Sequence, residues 1–349
     1  RDWSSNVCSS DLERAVTEAG APAGIAEYWR EFARKELRDS SPTYERLALA
    51  IADDPFALEF LAALPPVKRQ PNLLLTVLRV DGVPLDDPPA VCAHLAADSD
   101  RIRATVLARA TQTNEPQRIA LVLPEILRTA GPIALIEVGA SAGLCLHPDR
   151  YAISYSDSFH VGDPDAEVRF AVEVRGARPT GDHPLEIGWL AGIDLNPLDL
   201  ADPDDVAWLE ALVWPEHTAR AARLHAAIAV AREHPVEIVP GDLVDEIGPL
   251  LDRVPAGLRP VVFHTAVLGY LPTDRRQRFA EIMEARPDVL WLSNEGPGMA
   301  RHEDGAIDVG RPKPDSPSWA SHPAPFVLVR NGTDPIALTQ PHGEWIEFV

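Results

Sequence analysis

The sequence predicts an α/β fold in which an all-helical N-terminal domain precedes a mostly parallel sheet that closes on a C-terminal antiparallel pair. Three observations predict it. Before residue 131 the apolar residues recur at helical spacing between prolines, and no convincing run of strands interrupts them. After residue 132 short apolar runs alternate with helical stretches, the pattern of a parallel sheet flanked by helices. The first of those runs, Ile133-Ala-Leu-Ile-Glu-Val138, ends directly in a glycine turn.

Residues 1–12 are polar, lack a periodic face and resemble a translated sequencing-adapter leader; they are set aside as an artefactual, disordered segment. Residues 13–130 are expected to form a helical cap domain. Tyr28, Trp29, Phe32 and Leu37 fall near one face of the first helix. A second helical pattern runs from Tyr44 to Leu64; Pro55 should interrupt or restart it and Pro65-Pro66 should end it. Leu73 to Val80 is a short apolar stretch stopped by Asp81-Gly82. Ile102 to Ala110 and Pro116 to Thr129 read as further helices, the latter with proline at its first position and Gly131-Pro132 behind it.

The α/β domain is expected over 131–349. Strands are expected at 133–138, 151–156, 190–194, 236–239, 261–264 and 289–292, with a hairpin insertion at 158–187. Helices are expected from Asp205 to Glu233, broken at Trp214-Pro215, and from Thr273 to Ala285. Residues 296–325 are rich in Pro and Gly and read as a loop. Phe326–Val329, Ile336–Leu338 and Trp345–Val349 suit a terminal antiparallel pair.

Composition narrows the function. The net charge of -21 repels a phosphate backbone, and no Lys/Arg cluster offsets it, so a nucleic-acid partner is not expected. No stretch of 18 or more apolar residues occurs, so no membrane span is expected. Cys8, Cys92 and Cys145 are odd in number, far apart and without a C-x-x-C, which argues for a reducing cytoplasmic setting and against zinc or disulfides. His302-Glu303-Asp304 has ligand residue types, but consecutive residues do not converge easily on one ion, and no metal is expected.

Gly139-Ala140-Ser141-Ala142-Gly143 fits three motifs to different degrees. A dinucleotide fingerprint G-x-G-x-x-G fails at Ser141 and Leu144. A nucleophile elbow G-x-S-x-G matches in every letter and would make Ser141 the nucleophile of a serine hydrolase, with Asp242 and His264, His322 or His342 behind it. That fold, however, places several strands ahead of the elbow. The third pattern is an acidic residue, one spacer and then G-x-G-x-G, here Glu137-Val-Gly139-Ala-Ser141-Ala-Gly143, with only the middle glycine replaced. It resembles the cofactor loop of class I S-adenosylmethionine-dependent methyltransferases. That resemblance implies a Rossmann-like methyltransferase-type sheet. It also implies that Glu137, Gly139, Ala140, Ser141 and Gly143 contact S-adenosylmethionine and that an acidic residue after the second strand accepts from the ribose. Asp157 has the usual spacing, whereas Asp194 in Gly192-Ile-Asp-Leu-Asn-Pro197 has the family's wording; both stay open. Asp242 in Gly241-Asp-Leu243 resembles the adenine-binding position, and His264 to Pro272 the segment beside the methyl donor.

Taken together, Thr111-Gln-Thr-Asn-Glu115, Gly139 to Leu144, Asp149-Arg-Tyr151, Asp194 to Asp199, Trp214-Pro-Glu216 and His264 to Pro272 are similar to a bacterial family catalogued as a domain of unknown function, DUF2332. The expected function is methyl transfer from S-adenosylmethionine to a small molecule. The alternatives are the Ser141 hydrolase and a non-catalytic nucleotide-binding relative. His264 is the candidate general base, although a lone histidine ending an apolar strand is more often a core or rim residue, and Tyr270 is the candidate wall of the acceptor pocket or equally a packing residue. Asn114 and Glu115 could cap the helix at Pro116 or reach the methionine end of the cofactor. Asn294 and Glu295 lie just past a strand, where ligands bind in such sheets.

Overall fold

The computed structural model describes residues 22–112, 114–156, 159–176, 183–296, 299 and 325–349. The leader at 1–12, Asp157 and the loop at 300–324 lie outside the described residues. Two units divide the chain: one runs to Thr113 and takes back Asp202–Ala222, and the other holds Asn114–Ala201 and Arg223–Val349. The helix at 119–126, expected in the N-terminal domain, thus belongs to the second unit.

The first unit is helical. Helices α1 (Pro22–Phe32), α2 (Pro42–Asp53), α3 (Pro55–Ala62), α4 (Pro71–Val80), α5 (Pro88–Ala97) and α6 (Ser99–Ala108) follow one another. Proline opens five of the six, a position where its missing N–H costs nothing. Pro55 restarts the chain as expected, and Asp54 caps the new helix by accepting from the Ala57 N–H at 2.8 Å. Sequence reading passed over α5, which buries only Val91 and Leu95 and so has almost no apolar stripe. Its start is set by Asp87, which accepts from the Ala90 N–H at 3.2 Å. Within the same unit Trp208 donates to Ala110 O at 3.2 Å and Trp214 to Asn72 Oδ1 at 3.1 Å.

The second unit carries the sheet. After helix α7 (Ile119–Ile126) come β1 (Ile133–Val138), β2 (Ala152–Tyr155), β3 (Phe159–Val161), β4 (Arg169–Gly176), β5 (Ile187–Asp194), β6 (Glu237–Pro240), β7 (Arg259–Thr265), β8 (Leu290–Glu295), β9 (Phe326–Arg330), β10 (Asp334–Thr339) and β11 (Trp345–Phe348). The order across the 11-stranded sheet is β3-β2-β4-β11-β10-β9-β8-β7-β1-β5-β6. The five neighbours β6, β5, β1, β7 and β8 are all parallel. The chain builds outward from β1 through β5 to β6, then returns to the other side of β1 with β7. That reversal is a switch point, the place where parallel sheets of this kind commonly bind ligands.

The expected terminal pair is a three-stranded antiparallel meander, β9-β10-β11, joined to β8 through β9. The segment expected as an inserted hairpin supplies β3 and β4, and β4 pairs in parallel with both β2 and β11 to extend the sheet. Helices α8 (Pro203–Leu212) and α9 (Thr218–Glu233) stand between β5 and β6 in sequence, broken at Trp214-Pro215 as expected. Helices α10 (Leu243–Leu251) and α11 (Thr273–Glu284) cover one face, packing Val244, Ile247, Phe279 and Met283 against Ile136, Val138, Ile193 and Val262. No helix among the described residues is long and apolar enough to cross a membrane.

Candidate functional site

Period-2 alternation along β1 sorts its side chains. Ile136 and Val138 enter the core under α10 and α11, so Glu137 points to the opposite face. It is 5% exposed, and its Oε2 has no hydrogen-bond partner among the described residues. Burial is the main reason its carboxyl is held well above the usual carboxylate range; the Asp194 charge adds to the rise, while the Cys145 thiol and Arg118 oppose it.

Beyond Val138 the backbone turns through three residues of positive φ: Gly139 at +74°, Ser141 at +50° and Gly143 at +72°. At Gly139 a side chain is excluded twice over, by φ and because a Cβ there would run into Val267 Cγ2. At Gly192 of β5 a Cβ would lie 2.6 Å from that of Ala140, so the missing side chain is what lets β5 close on the turn. Ser141, a non-glycine in left-handed conformation, is held by its neighbours. Its N–H donates to Asp194 Oδ2 at 2.7 Å, and its Oγ accepts from Asn114 Nδ2 at 2.8 Å.

Asp194 ends β5, beside β1. Its carboxylate also accepts from the Asn196 N–H at 2.8 Å, and its carbonyl from the Gly241 N–H at 2.9 Å, so one residue ties three loops together. Asp157 falls outside the described residues, but the strand before it, β2, pairs with β3 and β4 at the far end of the sheet. Topology therefore gives the position beside the turn to Asp194. Leu195, next in sequence, is 68% exposed. Asp242 caps α10, accepting from the Val244 N–H at 2.8 Å, and pairs with Arg275 at 2.5 Å. A helix cap and an ion pair thus account for these contacts of Asp242.

The structure does not present His264 as a base. It lies on β7 at 0% exposure, with its ring between Phe279 and Trp291. Trp291 Nε1 donates to its Nε2 at 3.0 Å, which leaves Nδ1 to carry the proton and donate to Glu295 Oε1 at 2.7 Å. Both nitrogens are used inside the core, on the face away from Glu137, because Glu137 is level with Phe263 in the β1–β7 register. The pair instead positions the next loop: Glu295 also accepts from the Val267 N–H at 2.9 Å, beside Ala266 at φ +58°. Tyr270 stands at the far end of that loop, 65% exposed.

Arg118 and Asn294 share the carboxyl edge. Thr265 and Asn294 are partners across β7 and β8, on the Glu137 face of the sheet. Asn294 is fully buried; its Oδ1 accepts from Thr339 Oγ1 at 2.7 Å, and its Nδ2 has no hydrogen-bond partner among the described residues. Buried Arg118 donates to Pro341 O at 2.8 Å and to Thr265 O at 3.5 Å. Sequence reading assigned Arg118 to a helix and gave Cys145 and Leu195 no role; a charged residue one turn after the Asn114-Glu115-Pro116 break was the available signal.

A model of a family described as uncharacterized proteins conserved in bacteria matches residues 26–348. No curated protein and no solved structure matches the chain.

Proposed function

The chain belongs to the DUF2332 family, and we propose that its α/β unit binds S-adenosylmethionine and directs its methyl group to a small-molecule acceptor. The observation that carries the reading is a buried carboxylate oxygen without a partner, on Glu137, directly before a tight turn at the sheet's switch point. Such an oxygen is costly unless a ligand supplies a donor. The ammonium of an adenosyl sulfonium fits it. Glu137 and the backbone of Gly139 to Gly143 would hold the cofactor, with Asp194 bracing the turn and keeping acceptor capacity towards the ribose.

When bound, the cofactor supplies an already activated methyl sulfonium. The chain's own work is alignment and exclusion of water. His264, closed into the core, is a positioning residue for the 266–270 loop, and Tyr270 is the side chain left to meet an acceptor at the rim. The strong negative charge favours a small acceptor over a nucleic acid.

Ser141 at φ +50° within G-x-S-x-G is the observation a hydrolase reading would use. Against it, the Ser141 Oγ accepts from an amide nitrogen that takes no proton, and among the described residues no strand precedes β1. A fluorophosphonate that labels wild type and not Ser141→Ala would favour the hydrolase. The direct test of our reading is calorimetric titration with S-adenosylmethionine and S-adenosylhomocysteine. Saturable binding is expected, and its loss in Gly139→Val, where both φ and Val267 oppose a side chain. Absence of heat with both ligands, or unchanged affinity in that variant, overturns the assignment.

A further inference from the structure

The amino ends of β7 and β8 hold a cleft of their own. Helix α10 reaches β7 through the turn Pro255-Ala-Gly-Leu258, closed by the Leu258 N–H on Pro255 O at 3.2 Å, with Gly257 at φ +89°. Arg286 and Asp288 stand beside it, on the segment between α11 and β8. These segments enclose an open cleft of about 370 Å³, whose lining includes Val254, Leu258, Arg259, Pro260, Arg286 and Asp288. That volume lies in the lower part of the range of small-molecule sites. The walls are anchored to the sheet. Leu258 leans on β5, where a Cβ at Gly188 would lie 2.6 Å from its Cδ2, so the bare glycine makes room for it. The Arg259 N–H donates to Pro132 O at 3.1 Å, and Pro260 is level with Ala134 of β1.

We infer that this cleft is a second ligand site, for a small monocarboxylate with an apolar body. The charges along it select the head group. Arg286 is engaged on both sides, its Nη1 with Asp252 and its Nε with Asp288, each at 3.3 Å. The exposed side chain of Arg259 has no hydrogen-bond or ion-pair partner among the described residues. One available guanidinium matches one carboxylate, which it can meet with two parallel N–H donors. A dianion would ask for a second free cation and would face Asp288; an amine would face Arg259 itself. Val254, Leu258 and Pro260 offer the body of the ligand apolar surface to cover. On a chain of net charge -21, a cationic opening of this kind sets the cleft apart from its surroundings. The cleft stands about 20 Å from the carboxyl edge, the rise of one strand of this length, so the inference does not depend on the adenosyl reading.

The test titrates the full chain with hexanoate, hexanol and hexylamine, three probes with the same apolar body and different heads, by ligand-observed saturation-transfer NMR. In wild type hexanoate should bind about threefold more tightly than hexanol, the scale of one exposed ion pair, and hexylamine most weakly. Arg259→Gln should bring hexanoate down to the level of hexanol. Arg259→Glu should reverse the order in favour of hexylamine. The affinity of hexanol should hold in both variants, which also reports that they are folded. Failure of all three probes to saturate, equal affinity of the three for wild type, or a preference for hexanoate that survives in Arg259→Gln overturns the site.

Discussion

Glu137 carries a cost of burial at the point where a ligand is proposed to bind. Burial is the main reason its carboxyl is held well above the ordinary value of 4.5, which penalises the charged form. The sign follows from linkage: this group's contribution is fully present below about pH 4.5 and is lost as pH climbs towards the raised value. Glu137→Gln should therefore gain stability over wild type as pH rises above about 4.5 in thermal melts, and a difference that stays constant with pH would contradict the assignment. His264 makes the opposite case. Its substitution by Gln should cost about 1–3 kcal/mol in urea unfolding, because the Trp291 N–H and Glu295 lose a partner in the core. A variant as stable as wild type would show that the chain of bonds is dispensable. The sequence displayed His264 as a lone histidine ending an apolar strand, a pattern shared by bases and by packing residues. Only the strand alternation and the Trp291 side chain, 27 residues on, separate the two.

At the scale of elements, caps and turns were the most legible features. Pro42, Pro55, Asp54 and Asp242 all stand where local rules place them, since a cap answers to residues two or three positions away. The start of α2 is different. Ser41 caps it, but Glu216 reinforces it from 173 residues away, accepting from the Thr43 N–H at 2.8 Å and from the Ser41 hydroxyl at 2.5 Å. Burial works against that carboxylate, but the bonds from Ser41 and Thr43 outweigh it and hold its pKa below the usual range. A lowered pKa contributes stability that is present above about pH 4.5 and disappears as pH falls through the lowered value. Glu216→Gln should thus be less stable than wild type at pH 7 by no more than about 1 kcal/mol, given its exposure, and the gap should close as the carboxyl protonates in acid. A gap that widens in acid would refute the sign. Trp214-Pro-Glu216 was visible as a motif, yet its partners Asn72 and Thr43 were not, because nothing local in the chain pairs them.

For the whole molecule, the return of residues 202–222 to the helical unit is the decisive departure from a simple two-domain reading. Trp208, Leu209 and Trp214 are all buried there, two of them hydrogen-bonded to α4 and to the end of the 99–110 segment. A chain starting at Asn114 keeps these side chains and loses their partners. It should form soluble aggregates in size-exclusion chromatography, with red-shifted tryptophan emission. A monodisperse product with native emission would mean that the second unit is self-sufficient. The sequence by itself determined the fold class, β1, the glycine turn and the proline-punctuated helices, because periodicity, caps and turns act over a few residues. Tertiary structure alone decided that Asp194 and not the strand before Asp157 stands beside the turn, that His264 faces the core, and that Arg118 shares an edge with Glu137. Each of these depends on strand order and on which face a register presents, and both are set by pairings between segments far apart in the chain.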